Sequence, residues 1–166
     1  MPTPLSRPTA ARSGSRIEPA FAWFGGRLAT GLVDVTDDVA ALDGAGWWAV
    51  VLGFEGEVAC ARFSDVRETA LPRGPWPGIP RASWSSSMSR PQYLAGVASI
   101  RDGIAAGDYY QVNLCRVLSA PLPAEARMAG LPGLLAEGNP APYAGMVQVP
   151  DADVAVVTAS PELFLR

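Results

Sequence analysis

The chain has 166 residues, 49% hydrophobic and 17% charged, with a formal net charge of −3. That length suits one domain with a real core, and the composition excludes a wholly disordered chain. All 13 basic residues are Arg, with no Lys and no His, which removes the Schiff-base amine, the commonest general base and the commonest metal ligand together.

Met1 to Arg16 hold three Pro, three Arg and several Ser and Thr without an apolar run. Residues 1–19 therefore read as a disordered tail and carry no secretion signal. From residue 20 to 166 the pattern is that of a folded domain. Residues 20–24 and 28–35 are short apolar runs around Gly25-Gly26, two strands and a turn. Residues 46–54 and 58–63 flank Glu55-Gly56-Glu57 and predict a second hairpin, so the four strands together predict an antiparallel meander. Residues 71–80 carry four Pro and two Gly, which excludes helix and central strand and marks a connecting loop.

The clearest helix follows. Ser87 or Ser89 can cap it, Pro91 suits its first turn, Tyr93, Val97, Ile100 and Ile104 recur at helical spacing, and Gly107 ends it. Residues 108–118 then alternate, with Tyr110, Val112, Leu114 and Leu118 on one face and Tyr109, Gln111, Asn113 and Cys115 on the other, a strand with one amide-bearing side. Residues 124–137 show a helical pattern interrupted by Pro132-Gly133. Asn139-Pro140-Ala141-Pro142 is a stiff turn, and residues 143–149 and 153–158 are two more strands joined by Pro150-Asp151-Ala152. The chain closes on the apolar run Leu163-Phe164-Leu165, an unusual end for a domain, where a strand partner is expected to be missing.

The scattered arginines give no basic stripe, so no nucleic-acid partner is expected, and no apolar run reaches the roughly 20 residues of a membrane span. Cys60 and Cys115 form no CxxC pair and have no His to join in a zinc site, so they read as reduced thiols of a cytoplasmic protein. Three places can carry chemistry, each with a plainer alternative. Glu162 in Ser160-Pro161-Glu162 is either a solvated turn residue or a carboxylic acid held at a strand start beside a pocket, where it serves as proton donor. Gln111 and Asn113 either satisfy backbone groups or face a ligand. Residues 139–143 either connect two elements or line a ligand wall. A phosphate loop is excluded, since the glycines lack both the Lys and the spacing it needs.

Taken together and in order, residues 104–114 (IAAGDYYQVNL), 139–144 (NPAPYA) and 159–165 (ASPELFL) resemble the chorismate-binding enzymes, whose segments run I-x-x-G-D-x-Y-Q-x-N-L, N-P-x-P-Y/F and S-P-E-x-F-L. Within that family, Gln111-Val112-Asn113 and Ala141 are more similar to the aminodeoxychorismate synthase component I branch than to anthranilate synthase component I. The resemblance implies an α+β fold of two packed antiparallel sheets with outer helices, of which residues 20–166 would be an N-terminal, truncated part. It implies that the 4-hydroxyl of chorismate leaves and that ammonia from a glutamine amidotransferase subunit enters, giving 4-amino-4-deoxychorismate for para-aminobenzoate and folate. Glu162 is then the acid that protonates the leaving hydroxyl. Pro142, Tyr143 and Ala144 fall in a segment that lines a tryptophan pocket, and magnesium is implied, with its ligands outside this chain.

Two departures stand out. Leu163 replaces the Arg common after that Glu, and the branch's nucleophilic lysine has no counterpart in a chain without Lys. The 166 residues alone are therefore expected to be inactive. The alternatives are another chorismate enzyme, such as anthranilate synthase component I, and a non-catalytic module that binds an aromatic ligand or the glutaminase.

Overall fold

A computed structural model describes residues 19–163, so the predicted tail before Pro19 and the final Phe164-Leu165-Arg166 lie outside the described residues. The elements are β1 (Phe21–Phe24), β2 (Arg27–Thr36), β3 (Trp47–Leu52), β4 (Val58–Glu68), β5 (Ser85–Ser86), α1 (Arg90–Ala106), β6 (Leu118–Ser119), α2 (Leu131–Gly138), β7 (Tyr143–Val149) and β8 (Val154–Ser160), with short 3-10 turns between them. Two compact units result. One joins the residues up to Gly74 with those from Met128 onward, and the other is Pro75–Arg127. The first boundary falls inside the predicted Pro-rich loop.

The first unit is built on a six-stranded sheet of order β3-β4-β2-β1-β7-β8, antiparallel at every pairing. With its few helices it has the α+β character expected. The β1–β2 hairpin turns on Gly25 and Gly26 at φ 55° and 82°, left-handed at both central positions as a two-residue turn matching strand twist requires. The predicted meander is corrected, because β4 lies between β2 and β3. At eleven residues β4 is long enough to pair with β2 from Glu68 to Cys60 and with β3 from Phe63 to Val58, and the six-residue β3 is left at the edge. On the other side β1 pairs with β7, placing Phe24 opposite Gly145, Trp23 opposite Met146 and Ala22 opposite Val147.

Successive residues of a strand face opposite ways, so this register sorts the core. Ala22, Ala29, Ala49, Ala61, Phe63, Val147 and Val149 form one buried cluster with Phe24, Leu32 and Trp47 packed against it. Its alanines are short enough to leave room for three rings, Phe24 against Trp47 at 6.5 Å and Trp47 edge-on to Phe63 at 6.1 Å. Trp23 and Met146 point to the other face and are buried too. α2 follows a 3-10 turn at Met128–Gly130, and here the expected interruption at Pro132 is corrected. Pro132 sits in the first turn, where no N–H is needed, so it starts the helix.

In the second unit α1 runs as predicted. Ser89 Oγ accepts from the Gln92 N–H while Gln92 Oε1 accepts from the Ser89 N–H at 2.9 Å, a reciprocal cap, and Gly107 closes the helix. Residues 108–118, predicted as a strand, are not one. Only Leu118–Ser119 pairs, with Ser85–Ser86. The stretch before it runs back along α1, with Tyr109 against Gly103, Leu114 against Gly96 and the Arg116 guanidinium 5.9 Å over the Tyr93 ring. A regular pleat would send residues 109 and 114 to opposite faces, and both touch the helix. Alternation named a strand, but a strand also needs a ladder partner, and the described residues give it one only at its end.

Candidate functional site

The turn Asn139-Pro140-Ala141-Pro142 links α2 to β7. The Asn139 N–H donates to the Leu135 carbonyl at 2.8 Å and the Ala144 N–H to the Ala141 carbonyl at 3.2 Å, so α2 ends and β7 begins within one stiff segment. This segment borders a cavity of about 210 Å³. Pro132, Leu135 and Ala136 of α2 form one wall, Asn139, Pro140 and Ala141 the rim. The floor is Trp23, Ala144, Thr158 and Ala159, with Leu71 closing a side. Trp23 is held by its Nε1–H, which donates to the Thr69 carbonyl at 3.1 Å.

Of the three residues expected to line a tryptophan pocket, only Ala144 reaches this cavity. Pro142 and Tyr143 are exposed and do not line it, because β7 alternates and Tyr143 faces away from its neighbour Ala144. Glu162 lies past the C-terminal end of β8, where the expectation put it at a strand start. The Ser160 hydroxyl accepts from the Glu162 N–H at 3.3 Å and donates to the Glu162 carbonyl at 2.8 Å, which fixes the backbone of Ser160-Pro161-Glu162 in a tight turn. The Glu162 carboxylate is exposed, three residues beyond the cavity wall at Ala159. Gln111 and Asn113, in the other unit, are exposed as well.

Trp23 and Leu71 were not legible as site residues. Their place in the cavity depends on β1 pairing with β7, which no local pattern announces. The cluster of prolines and small residues at 139–144 was the one readable signal.

Among the described residues no three His, Cys, Asp or Glu side chains come together as a metal site. The implied magnesium is expected to take its ligands from outside this chain, and no step is assigned to it. No helix of the described residues is long and apolar enough to cross a membrane. Cys60 is fully buried in β4, and burial first, then the nearby Asp38 and Asp37 carboxylates, push its thiol above its ordinary value. It stays a neutral thiol at neutral pH. Because the unfolded chain would ionise first, its contribution to stability is complete below the ordinary thiol value and falls as pH rises through the higher folded-state one. Cys115 is exposed. A chromogenic disulfide reagent should therefore titrate one thiol quickly in the native protein, Cys115, and reach Cys60 only after unfolding. Two fast thiols would contradict this packing.

Residues 54–166, more than half of the chain, match the family described as chorismate binding enzyme. Among curated proteins the chain is similar to the anthranilate synthase component 1 of Thermus thermophilus, 39% identical over 100 residues that make up 57% of this chain and 21% of that protein. It is also similar to the component 1 of Streptomyces coelicolor, 37% identical over 83 residues, 50% of this chain and 16% of that protein. Anthranilate synthase component 1 1 of Haloarcula marismortui is 36% identical over 88 residues, 51% of this chain and 17% of that protein. The matched region is thus about a fifth of the length of these relatives. No solved structure matches the chain.

Proposed function

We propose that this chain, which belongs to the chorismate binding enzyme family, takes part in the amination of chorismate. The observation that carries the reading is the family match over residues 54–166, which takes in all three motif segments. Its chemistry would be loss of a ring hydroxyl from chorismate and entry of ammonia, with Glu162 donating a proton to the departing oxygen and a glutamine amidotransferase subunit supplying the ammonia. The names of the three relatives favour anthranilate as the product, which requires that the aminated ring also loses its enolpyruvyl side chain as pyruvate. A second reading, 4-amino-4-deoxychorismate for para-aminobenzoate and folate, is supported by Gln111-Val112-Asn113 and Ala141. A tryptophan-binding role for Pro142, Tyr143 and Ala144 belongs to the same family reading, and by the alternation of β7 Tyr143 would form it on the face away from the cavity.

The Pro161 ring restricts the approach to Glu162 and the Ser160 hydroxyl closes the turn, so the carboxylate projects from a fixed backbone. In the aminodeoxychorismate reading a covalent step needs a lysine, and the chain has none. The 166 residues, given chorismate, ammonium and magnesium, should form no 4-amino-4-deoxychorismate. The test of the reading replaces the corresponding segment of the Thermus thermophilus protein with residues 54–166, the span of the family match. The chimaera should turn over chorismate, and the product, separated chromatographically, should be anthranilate. A folded chimaera that leaves chorismate untouched would sink the proposal.

A further inference from the structure

β3 is an edge of the six-stranded sheet, and among the described residues no strand pairs with its outer side. The Gly53 N–H donates to the Glu57 carbonyl at 2.7 Å, so by alternation Val51, Ala49 and Trp47 turn their backbone groups towards β4. Trp48, Val50 and Leu52 therefore present their N–H and C=O groups outward, three donors and three acceptors in a row. Soluble proteins usually guard such an edge with lysine, proline or an inward charge. β3 reads Trp-Trp-Ala-Val-Val-Leu, with neither charge nor proline, in a chain that has no lysine at all. Its far end is apolar too: Leu52 is 57% exposed, and Phe54 in the turn that follows stands wholly in solvent. β8, at the opposite edge, exposes only Val156 among its larger apolar side chains.

We propose that β3 pairs with β3 of a second copy of this chain, antiparallel and about a two-fold axis at Val50, so that two six-stranded sheets join into one. The strand is complementary to itself. Val50 meets Val50 of the second copy, and Trp48 meets Leu52 on either side, each an outward-turned pair that exchanges two backbone hydrogen bonds. On the outer face the Trp48 ring, with the Arg62 guanidinium 5.6 Å above it, covers the exposed Leu52 of the second copy. On the core face Ala49 lies opposite Val51, which carries the buried cluster of each sheet towards the other. The same register brings Phe54 level with Gly46 of the second copy, where no side chain stands in the way. A symmetric pairing sets like residues together, and here no charge meets a like charge within the ladder, since Asp43 and Glu55 lie beyond its ends. An extended peptide of another protein would gain the backbone bonds without this fit of side chains. The inference goes beyond the amination reading and depends only on the edge.

Sedimentation equilibrium of the full 166-residue chain over a concentration series should show a reversible equilibrium between monomer and dimer. Val50→Pro removes an outward N–H and no bond between β3 and β4. Leu52→Lys sets a charge against Trp48 of the second copy. Each should raise the dissociation constant of the dimer at least tenfold with the fold retained by circular dichroism, and if one fails to fold the other carries the test. In a mixture of isotope-labelled and unlabelled chains, filtered NOEs should join the Trp48 ring of one copy to the Leu52 methyls of the other. Within one chain these two residues are roughly 13 Å apart along the strand, too far for such a signal. A chain that stays monomeric up to its solubility would overturn the proposal, as would a dimer that survives both substitutions. NOEs that place the contact at β8 would also overturn it, as would growth beyond two copies, which a closed two-fold pairing does not allow. A monomeric chain would leave the amination reading untouched, and an inactive chimaera would leave the pairing untouched.

Discussion

In the chimaera that carries residues 54–166, Glu162→Gln should reduce chorismate turnover by ~10²–10⁴-fold, the usual contribution of a general acid, with chorismate affinity little changed. Gln keeps the length and the hydrogen-bonding oxygen of Glu but has no acidic proton to give the leaving hydroxyl. The turn at Ser160-Pro161-Glu162 rests on the Ser160 hydroxyl and the residue 162 backbone, so the substitution leaves the local fold intact. A role in binding alone would raise KM and spare kcat, whereas loss of an acid that acts in the transition state lowers kcat. Unaltered turnover in Glu162→Gln would remove Glu162 from the chemistry. Ser160→Ala is a useful companion. It loosens the turn and leaves the acid in place, so its effect on turnover should be much smaller than that of Glu162→Gln.

Gly145→Val should destabilise the protein by about 3 kcal/mol, the upper end of the usual overpacking penalty, and lower Tm by about 6–12 °C for a chain of this size. Gly145 is buried in β7 opposite Phe24 of β1, and a Cβ there would run into the edge of the Phe24 ring. That ring cannot give way freely, because it packs on Trp47, which in turn packs on Phe63. Relief should therefore come from the neighbour. Phe24→Leu combined with Gly145→Val should lose less than the sum of the two single changes, a coupling in the range of ~0.5–3 kcal/mol for residues in contact. Strict additivity, measured by thermal or urea unfolding, would mean that the two positions do not share the space the register assigns them.

Elements signalled by neighbouring residues were legible. Gly25-Gly26 announced the first hairpin, Glu55-Gly56-Glu57 the second and Pro150-Asp151-Ala152 the third. Of Ser87 and Ser89, the two caps the sequence allowed, Ser89 starts α1 and Gly107 ends it as expected, since caps and turns depend on groups a few positions apart. The lack of Lys and His limited the available chemistry before any fold was known, and the three motif segments led to the family. Where local pattern and tertiary pairing parted, pairing prevailed. The alternation of residues 108–118 met α1 at Gly96 and Gly103 and found little ladder, and Pro132 opened a helix it was expected to break.

The stripe Tyr93-Val97-Ile100-Ile104 shows the same limit. The helix is real, but Tyr93 and Ile104 remain 37% and 42% exposed, because periodicity tells which side of a helix is apolar and not what will cover it. The cavity beside the 139–144 turn exists because β1, near one end of the chain, pairs with β7, near the other, bringing Trp23 to Ala144 and Thr158. The three motif segments thus led to the family this chain joins. Which residues share a wall, which strand lies at an edge and where Glu162 stands were decided by hydrogen-bonded pairing between distant segments, whose energy depends on partners that no stretch of local sequence contains.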